Sequence, residues 1–387
     1  MTRARLGLLC TTVLMIATSA RAQGTATGWQ LSLEPMYVMT RGNDVHAGDV
    51  FTESQMFRGT VVTTSPGVTV TNSTVDYGVT YDPIVTDMSS RFGLLVSAGY
   101  RGSRWGFGGR GWRVDTSGSV EGNEESSSEE SLTGIRLWDH SALPVVNRFT
   151  ASGYSPVTFY AENRLENLRV DGYAERRWIA SSNLNVAMRF GAAYTQFKNT
   201  RREGNAEQAA YQNVLEDVLG PIVVTGTNSI TLDAESETTA NLIGPSIGIA
   251  GDSTHGAFRL EWLVSPAVLF GTAETSGTWT DIDNISEVEV SPGLRDTRTI
   301  RLDGVIPVER DVRVAVPVLD LHVKASVAVA KGVRIGGGLF SSSWFGMPVA
   351  PAFTVPGSWT DVEGTGWRDQ TRDLTFLAYS AFVSFGF

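Results

Sequence analysis

The chain has 387 residues, a net charge of -10 and 42% hydrophobic residues, with 41 Gly, 17 Phe, 10 Tyr and 10 Trp. The acidic balance argues against a nucleic-acid binder, whose contact face would carry excess positive charge. The one cysteine, Cys10, falls within the N-terminal leader described next, which excludes a disulfide, a thiolate metal site or a cysteine nucleophile beyond it.

Arg3 and Arg5 precede an apolar run from Leu6 to Ala17, shorter than the roughly 20 residues a membrane-spanning helix needs. Ala20-Arg21-Ala22 follows with the small-x-small pattern of a signal-peptidase site. Residues 1–22 are therefore expected to be a cleaved signal peptide, and 23–387 the exported domain. No later apolar run is long enough for a helical span, which excludes an ordinary inner-membrane protein.

Ten segments alternate with a period of two over the length that a tilted membrane strand requires: 28–40, 89–101, 104–116, 166–179, 183–198, 241–252, 256–272, 312–327, 332–346 and 373–387. Gly102-Ser103, Ala180 to Ser182, Ser253 to His255 and Val329 to Lys331 make short connections. Long polar stretches at 41–88, 117–165, 199–240, 273–311 and 347–372 make the others. Short turns alternating with long loops point to an all-β, up-and-down transmembrane barrel of about ten strands, with twelve or eight as alternatives. Gly59–Val70 and Thr297–Val308 are expected to extend hairpins above the membrane.

The faces agree with lipid outside. Segment 256–272 sets Phe258, Leu260, Trp262, Val264, Pro266, Val268 and Phe270 against Arg259, Glu261, Leu263, Ser265, Ala267, Leu269 and Gly271. Parity slips at Gly108-Gly109 and near Pro317 to Leu319, where β-bulges are expected. Trp29, Tyr100, Trp105, Trp178, Tyr194, Phe270 and Tyr379 lie near strand ends, as interfacial aromatics do.

The opposite parity collects Glu34, Arg91, Arg101, Arg110, Arg169, Asp171, Glu175, Arg177, Arg189, Arg259, Glu261, Asp320, His322, Lys324 and Arg334. Ionisable groups at bilayer depth face water or each other. Either they line a channel whose basic excess favours anions, or they pair and fill the bore. Segment 166–179 carries the densest set and is expected to be the narrowest level, with Arg189 as a partner and Glu34 serving from elsewhere round the wall.

The last segment places Leu377, Tyr379, Ala381, Val383, Phe385 and Phe387 on one face, with Phe382 breaking the pattern of small residues on the other. With Ser380, Phe385 and Phe387 it resembles the C-terminal strand of outer-membrane proteins, which implies recognition by the barrel-assembly machinery. Phe382 departs from the glycine usual there. Leu168–Phe197, Val316-Pro317-Val318-Leu319-Asp320 and the ending Asp373-Leu374-Thr375-Phe376 to Phe387 resemble Legionella-type major outer-membrane proteins. That resemblance implies a pore.

In the connections, Glu121, Glu124, Glu125, Glu129 and Glu130 suggest either divalent-cation bridging to lipopolysaccharide or a solvated acidic run. Asn205 to Leu219 is expected to form a short amphipathic helix. Asp281, Asp283, Glu287 and Glu289 lack the spacing of a calcium loop. Asp320-Leu321-His322 matches the Asp-x-His pair of omptin proteases in letters only and is read as an inner-wall histidine held by Asp320. Asp139-His140 lacks a placed nucleophile. No catalytic set, metal site or cofactor is expected. The leading expectation is passive diffusion of small solutes through an outer-membrane barrel. The alternatives are a structural or adhesive surface barrel acting through its acidic loops and, third, a hydrolase.

Overall fold

The computed structural model describes residues 28–42, 45–65, 68–86, 88, 90–124, 131–137, 153–154, 157–181, 183–217, 220–291, 294–354 and 366–387. The expected signal peptide, Asp139-His140, Glu125, Glu129 and Glu130 lie outside them. In chain order the strands are β1 (Gly28–Arg41), β2 (Val45–Ser65), β3 (Val68–Thr86), β4 (Arg91–Arg101), β5 (Trp105–Glu124), β6 (Ser131–Leu137), β7 (Gly153–Tyr154), β8 (Val157–Ala180), β9 (Leu184–Asp217), β10 (Gly220–His255), β11 (Phe258–Ser291), β12 (Leu294–Ala330), β13 (Val333–Thr354) and β14 (Gly366–Gly386).

Eleven of these share one antiparallel sheet, and an additional β9–β10 pairing closes it. The two-residue β7 only adds to β9 near its far end. The remaining ten run β1-β4-β5-β8-β9-β10-β11-β12-β13-β14 and return to β1. The closing seam is continued past β14, where Trp29 N–H donates to the Phe387 carbonyl at 2.8 Å and Phe387 N–H donates back at 3.0 Å. Closure leaves no open edge, which a sheet facing hydrocarbon cannot tolerate. β3, β2 and β6 form a separate three-stranded sheet from the long connections.

Two of the tight turns fall at glycines with positive φ. Gly256, with φ +58°, sits between paired His255 and Phe258, and Gly332, with φ +75°, sits between Ala330 and Val333. Both turns lie a residue or two beyond the expected positions, because a two-residue turn needs φ values that glycine adopts without strain.

An exposed apolar belt surrounds one part of the barrel. On β11 it runs from Phe258 to Phe270, which at about 3.4 Å per residue and a tilt near 45° rises roughly 29 Å, close to a bilayer's hydrocarbon thickness. Trp29, Tyr100 and Phe107 pack ring to ring at the short-turn end, 5.5–5.7 Å between centroids. Tyr37 and Phe92 do so at the other end, at 5.9 Å.

Beyond the belt the strands do not stop. The stretches 199–240 and 273–311, expected as loops, continue the ladder in register, for example Lys198 opposite Thr239 and Trp279 opposite Ile306. Asn205–Asp217, expected as a helix, is the far part of β9, paired with β10 from Leu232 to Gly220. The side-chain pattern explains this. Along β10, Ala234, Ser236, Thr238 and Ala240 are buried inward, and the residues between them face out. The outer surface there is ionic: Lys198 Nζ lies 2.8 Å from Glu237, Arg202 2.6 Å from Glu235, and Arg164 2.8 Å from Asp115. The alternation survives, but its phase inverts from apolar-out to charged-out.

The interior is packed. Trp112, Phe340, Phe376, Trp344 and Phe197 are buried inside with Leu165, Leu242, Leu269, Val316 and Val318. Neither expected bulge occurs. Gly108 and Gly109 pair in unbroken register with Gly99 and Ala98, and Pro317 and Leu319 pair with Val268 and Pro266. What reads as a parity slip is a set of apolar residues, Trp112, Val114, Val316 and Val318, facing inward instead of out. Gly108 makes room for the Tyr173 ring, whose hydroxyl a Cβ would meet. Phe382 likewise points in, with Lys324 Nζ 4.7 Å from its ring centroid. Phe376 is fully buried against Trp112 and Trp344. Phe376→Ala should therefore lower unfolding stability by about 3–5 kcal/mol, measured as a shift in the urea midpoint of the refolded barrel.

Candidate functional site

The inward side chains form levels along the barrel axis. At the short-turn end is a vestibule of about 580 Å³. Its wall carries Arg101 from β4, Glu175 and Arg177 from β8, Arg189 from β9, Asp252 from β10, Arg259 and Glu261 from β11, and Arg334 from β13. Arg101 reaches Asp252 at 2.9 Å, Glu175 at 3.6 Å and Glu261 at 3.9 Å. Arg259 bridges Asp252 and Glu261 at 3.2 and 3.0 Å. Arg189 pairs with Glu175 at 3.1 Å, as its position suggests, and lies over the Tyr173 ring at 4.1 Å.

Above this, halfway through the belt, four charges are buried together. Arg110 contacts Asp171 at 2.7 Å and also pairs with Asp320. Arg169 contacts Asp171 at 3.0 Å and Asp320 at 2.9 Å. Ser342 Oγ donates to Asp320 at 2.7 Å, and Trp344 Nε1 donates to Ser342 at 2.8 Å. The four residues are at least 93% buried. Two guanidiniums and two carboxylates make this tetrad neutral, drawn from β5, β8 and β12, so its bonds cross the bore. A separate group joins Glu34 to Lys324 at 2.6 Å and sets His322 Nε2 3.2 Å from the same carboxylate.

The fifteen expected inner-face residues thus divide clearly. Glu34, Arg101, Arg110, Arg169, Asp171, Glu175, Arg189, Arg259, Glu261, Asp320, His322 and Lys324 are paired inside, Arg177 and Arg334 line the vestibule, and Arg91 is the exception. Arg91 is solvent-exposed at the far end of β4, 3.1 Å from Ser117 Oγ. Two partner assignments change. His322 faces Glu34 and not Asp320, whose two oxygens are taken by Arg110, Arg169 and Ser342. Glu34 serves Lys324 and not the 166–179 cluster. Asp252 and Ser342 were missed, although both have inward parity. The segment 166–179 contributes Arg169 and Asp171 to the buried tetrad.

Past the tetrad and the apolar plug lies a polar level. Asn199 Nδ2 donates to Asn163 at 2.8 Å, and Arg201 pairs with Glu203 at 2.7 Å. Here β13 kinks at Gly346, with φ +67°, and its register with β14 shifts between Trp344 and Met347 and again between Val349 and Ala352. The freed segment reaches across the bore. Ser236 donates to the Pro351 carbonyl at 2.8 Å, Thr238 to the Val349 carbonyl at 3.1 Å, and Ala350 N–H to Asn199 at 2.8 Å. A second apolar level follows, in which Trp279 stacks on Phe353 at 4.6 Å and Trp367 packs edge-on against Phe353 at 5.3 Å.

Asp281 and Asp283 follow Trp279 along β11, each with one carboxylate oxygen buried and without a hydrogen-bond partner among the described residues. Burial pushes both carboxyls above the usual aspartate range, and the Asp283 charge adds to the effect at Asp281. A carboxyl with a raised folded-state pKa favours folding at low pH and loses that contribution as pH rises through the shifted value.

Two predictions follow from these levels. Asp320→Ala removes a shared partner of Arg110 and Arg169 and should cost about 3–5 kcal/mol, read by urea unfolding in lipid or detergent. Asp281→Asn should raise the unfolding midpoint at pH 7.5, with the gain shrinking as pH falls through the raised value and lost below about pH 4, where the side chain is neutral in the folded and unfolded states alike; an equal effect at high and low pH would rule out the burial penalty.

No protein-family model matches this chain, and no curated protein matches it. Among solved structures it is similar to the outer membrane protease OmpT from Escherichia coli, at 11% identity and a TM-score of 0.40, covering 95% of this chain and 100% of that one. A Pseudomonas aeruginosa FadL homologue aligns at 9% identity and TM-score 0.25, covering 92% and 90%. The Pseudomonas putida toluene transporter TodX aligns at 12% and 0.23, covering 96% and 91%. Likenesses this distant say nothing about activity.

Proposed function

We propose that the chain is an exported outer-membrane barrel with its short turns in the periplasm and its tall wall outside the cell, and that it works as a closed barrel whose extramembrane wall and hairpins are the functional surface. The observation that carries this reading is the filled bore: Arg110 on β5 and Arg169 on β8 reach Asp320 on β12, and the 346–353 segment of β13 reaches β9 and β10. Two apolar levels lie in line with these contacts. A diffusion pore needs inner charges that remain open to water, whereas here they neutralise one another across the lumen.

The exterior supports the same assignment. The belt's apolar residues suit lipid, and the ionic rows beginning at Lys198, Glu237 and Arg164 suit the polar, anionic layer that lipopolysaccharide forms above it. Phe385 lies opposite Leu31 on β1, and Phe387 is bonded to Trp29, so the residues of the proposed assembly signal sit on the seam that closes last in chain order. The pore implied by the resemblance to Legionella-type major outer-membrane proteins, with weak anion preference, is the competing reading.

Planar-bilayer recording separates them. The refolded, heat-modifiable protein should insert without discrete conductance steps. Reproducible steps from the unmodified protein, with a reversal potential that shifts in a salt gradient, would establish the diffusion pore instead.

A further inference from the structure

We infer that the periplasmic vestibule is a binding chamber for a small multivalent oxyanion, one carrying two or more phosphoryl or carboxylate groups. The inference rests on the closed-barrel reading, because a chamber sealed at its inner end holds a ligand where a channel would pass it on. The volume of about 580 Å³ lies within the range of small-molecule sites.

The charge count supplies the sign. Setting aside Arg177, which has contacts of its own, four guanidiniums, Arg101, Arg189, Arg259 and Arg334, line the chamber against three side-chain carboxylates, Glu175, Asp252 and Glu261. Lys324 and Arg110 also reach it, but Glu34 engages the first and the tetrad the second. Every one of the three carboxylates is already engaged by Arg101, while Arg259 and Arg189 add further contacts. The surplus is therefore cationic, enclosed by a low-dielectric wall that concentrates its field.

Two donors point to unfilled capacity. Arg259 Nε is buried without a hydrogen-bond partner. Arg334 bonds only to Ser326 and to the carbonyls of Ser326 and Ala257, with no described carboxylate within ion-pair distance. Guanidiniums with open fork positions match phosphoryl and carboxylate oxygens in pairs. Such groups could come from a soluble periplasmic anion or from a phospholipid headgroup at the inner leaflet.

Pyrophosphate titrated calorimetrically into the full barrel in zwitterionic detergent at low salt should bind saturably with one-to-one stoichiometry. Arg334→Ala should weaken it about tenfold, with the barrel still heat-modifiable. Arg334→Gln carries the same test if the alanine variant does not refold. Repeating the titration in phosphatidylcholine vesicles with and without phosphatidylglycerol identifies the source: a headgroup ligand weakens pyrophosphate binding only in the second, and a soluble ligand leaves both equal. Absence of saturable binding to the unmodified protein, or binding that neither Arg334 variant changes, overturns the proposal. Bilayer recording reads the closed lumen independently, so failure of the chamber and failure of the seal are distinguishable.

Discussion

A ring of ten strands is narrow enough that side chains pointing inward meet one another across it. That width decides what the interior can be. Arg110, Arg169, Asp171 and Asp320 come from three strands, yet all lie within hydrogen-bonding reach. Placed separately at bilayer depth, each would carry a desolvation cost of several kcal/mol. Gathered into a neutral tetrad with Ser342 as a further donor, they offset one another's charge, and one guanidinium nitrogen of each arginine is left without a hydrogen-bond partner among the described residues. Above them the same width lets Trp112, Phe340 and Phe376 touch face to edge, with centroids 5.3 and 5.4 Å from the Trp112 ring. Packing of this kind is that of a soluble core, enclosed by a wall that faces lipid.

The wall itself changes solvent partway along each strand. On β9 the outer surface passes from Phe190 and Tyr194, both exposed, to Lys198 and Arg202, both paired with glutamates of β10. On β11 it passes from Phe270 to Glu274, and on β12 from Val312 to Arg310. Inside, burial continues through this boundary without a break, from Phe197 to Arg201 and Glu203. The outer face alone senses the change from lipid to water. Strand length is therefore not set by membrane thickness. β10 and β12, at 36 and 37 residues, are nearly three times as long as the Phe258 to Phe270 belt of β11.

That inversion also explains what the sequence could and could not convey. The ten membrane strands were legible because apolar-out alternation is the pattern a lipid-facing wall imposes. The continuation of β9 to β12 was not, because Ala234, Ser236 and Thr238 inside and Asp233, Glu235 and Glu237 outside read as a polar stretch when apolar residues are sought on the outer face. The inward plug is disguised in the same way: Trp112, Val316 and Phe382 read as errors of parity, although each is a sign of a filled bore. Most of the charged inner set was legible from parity alone. Which partner each residue takes was not, since Glu34 and Lys324 meet across a seam 290 residues apart in sequence, and no spacing rule connects them.

The seal does not depend on any one of these groups. The tetrad, the lower apolar plug, the crossing of β13 after Gly346 and the Trp279–Phe353 stack occupy successive levels, and different strands supply each. Loss of one member removes contacts at its own level and leaves the others in place. A substitution such as Phe376→Ala thus acts on stability before it can act on permeability, because the levels above and below still block the axis. The vestibule alone is exempt from this redundancy. It lies outside the lowest seal, and its guanidiniums line an opening where the levels above are filled.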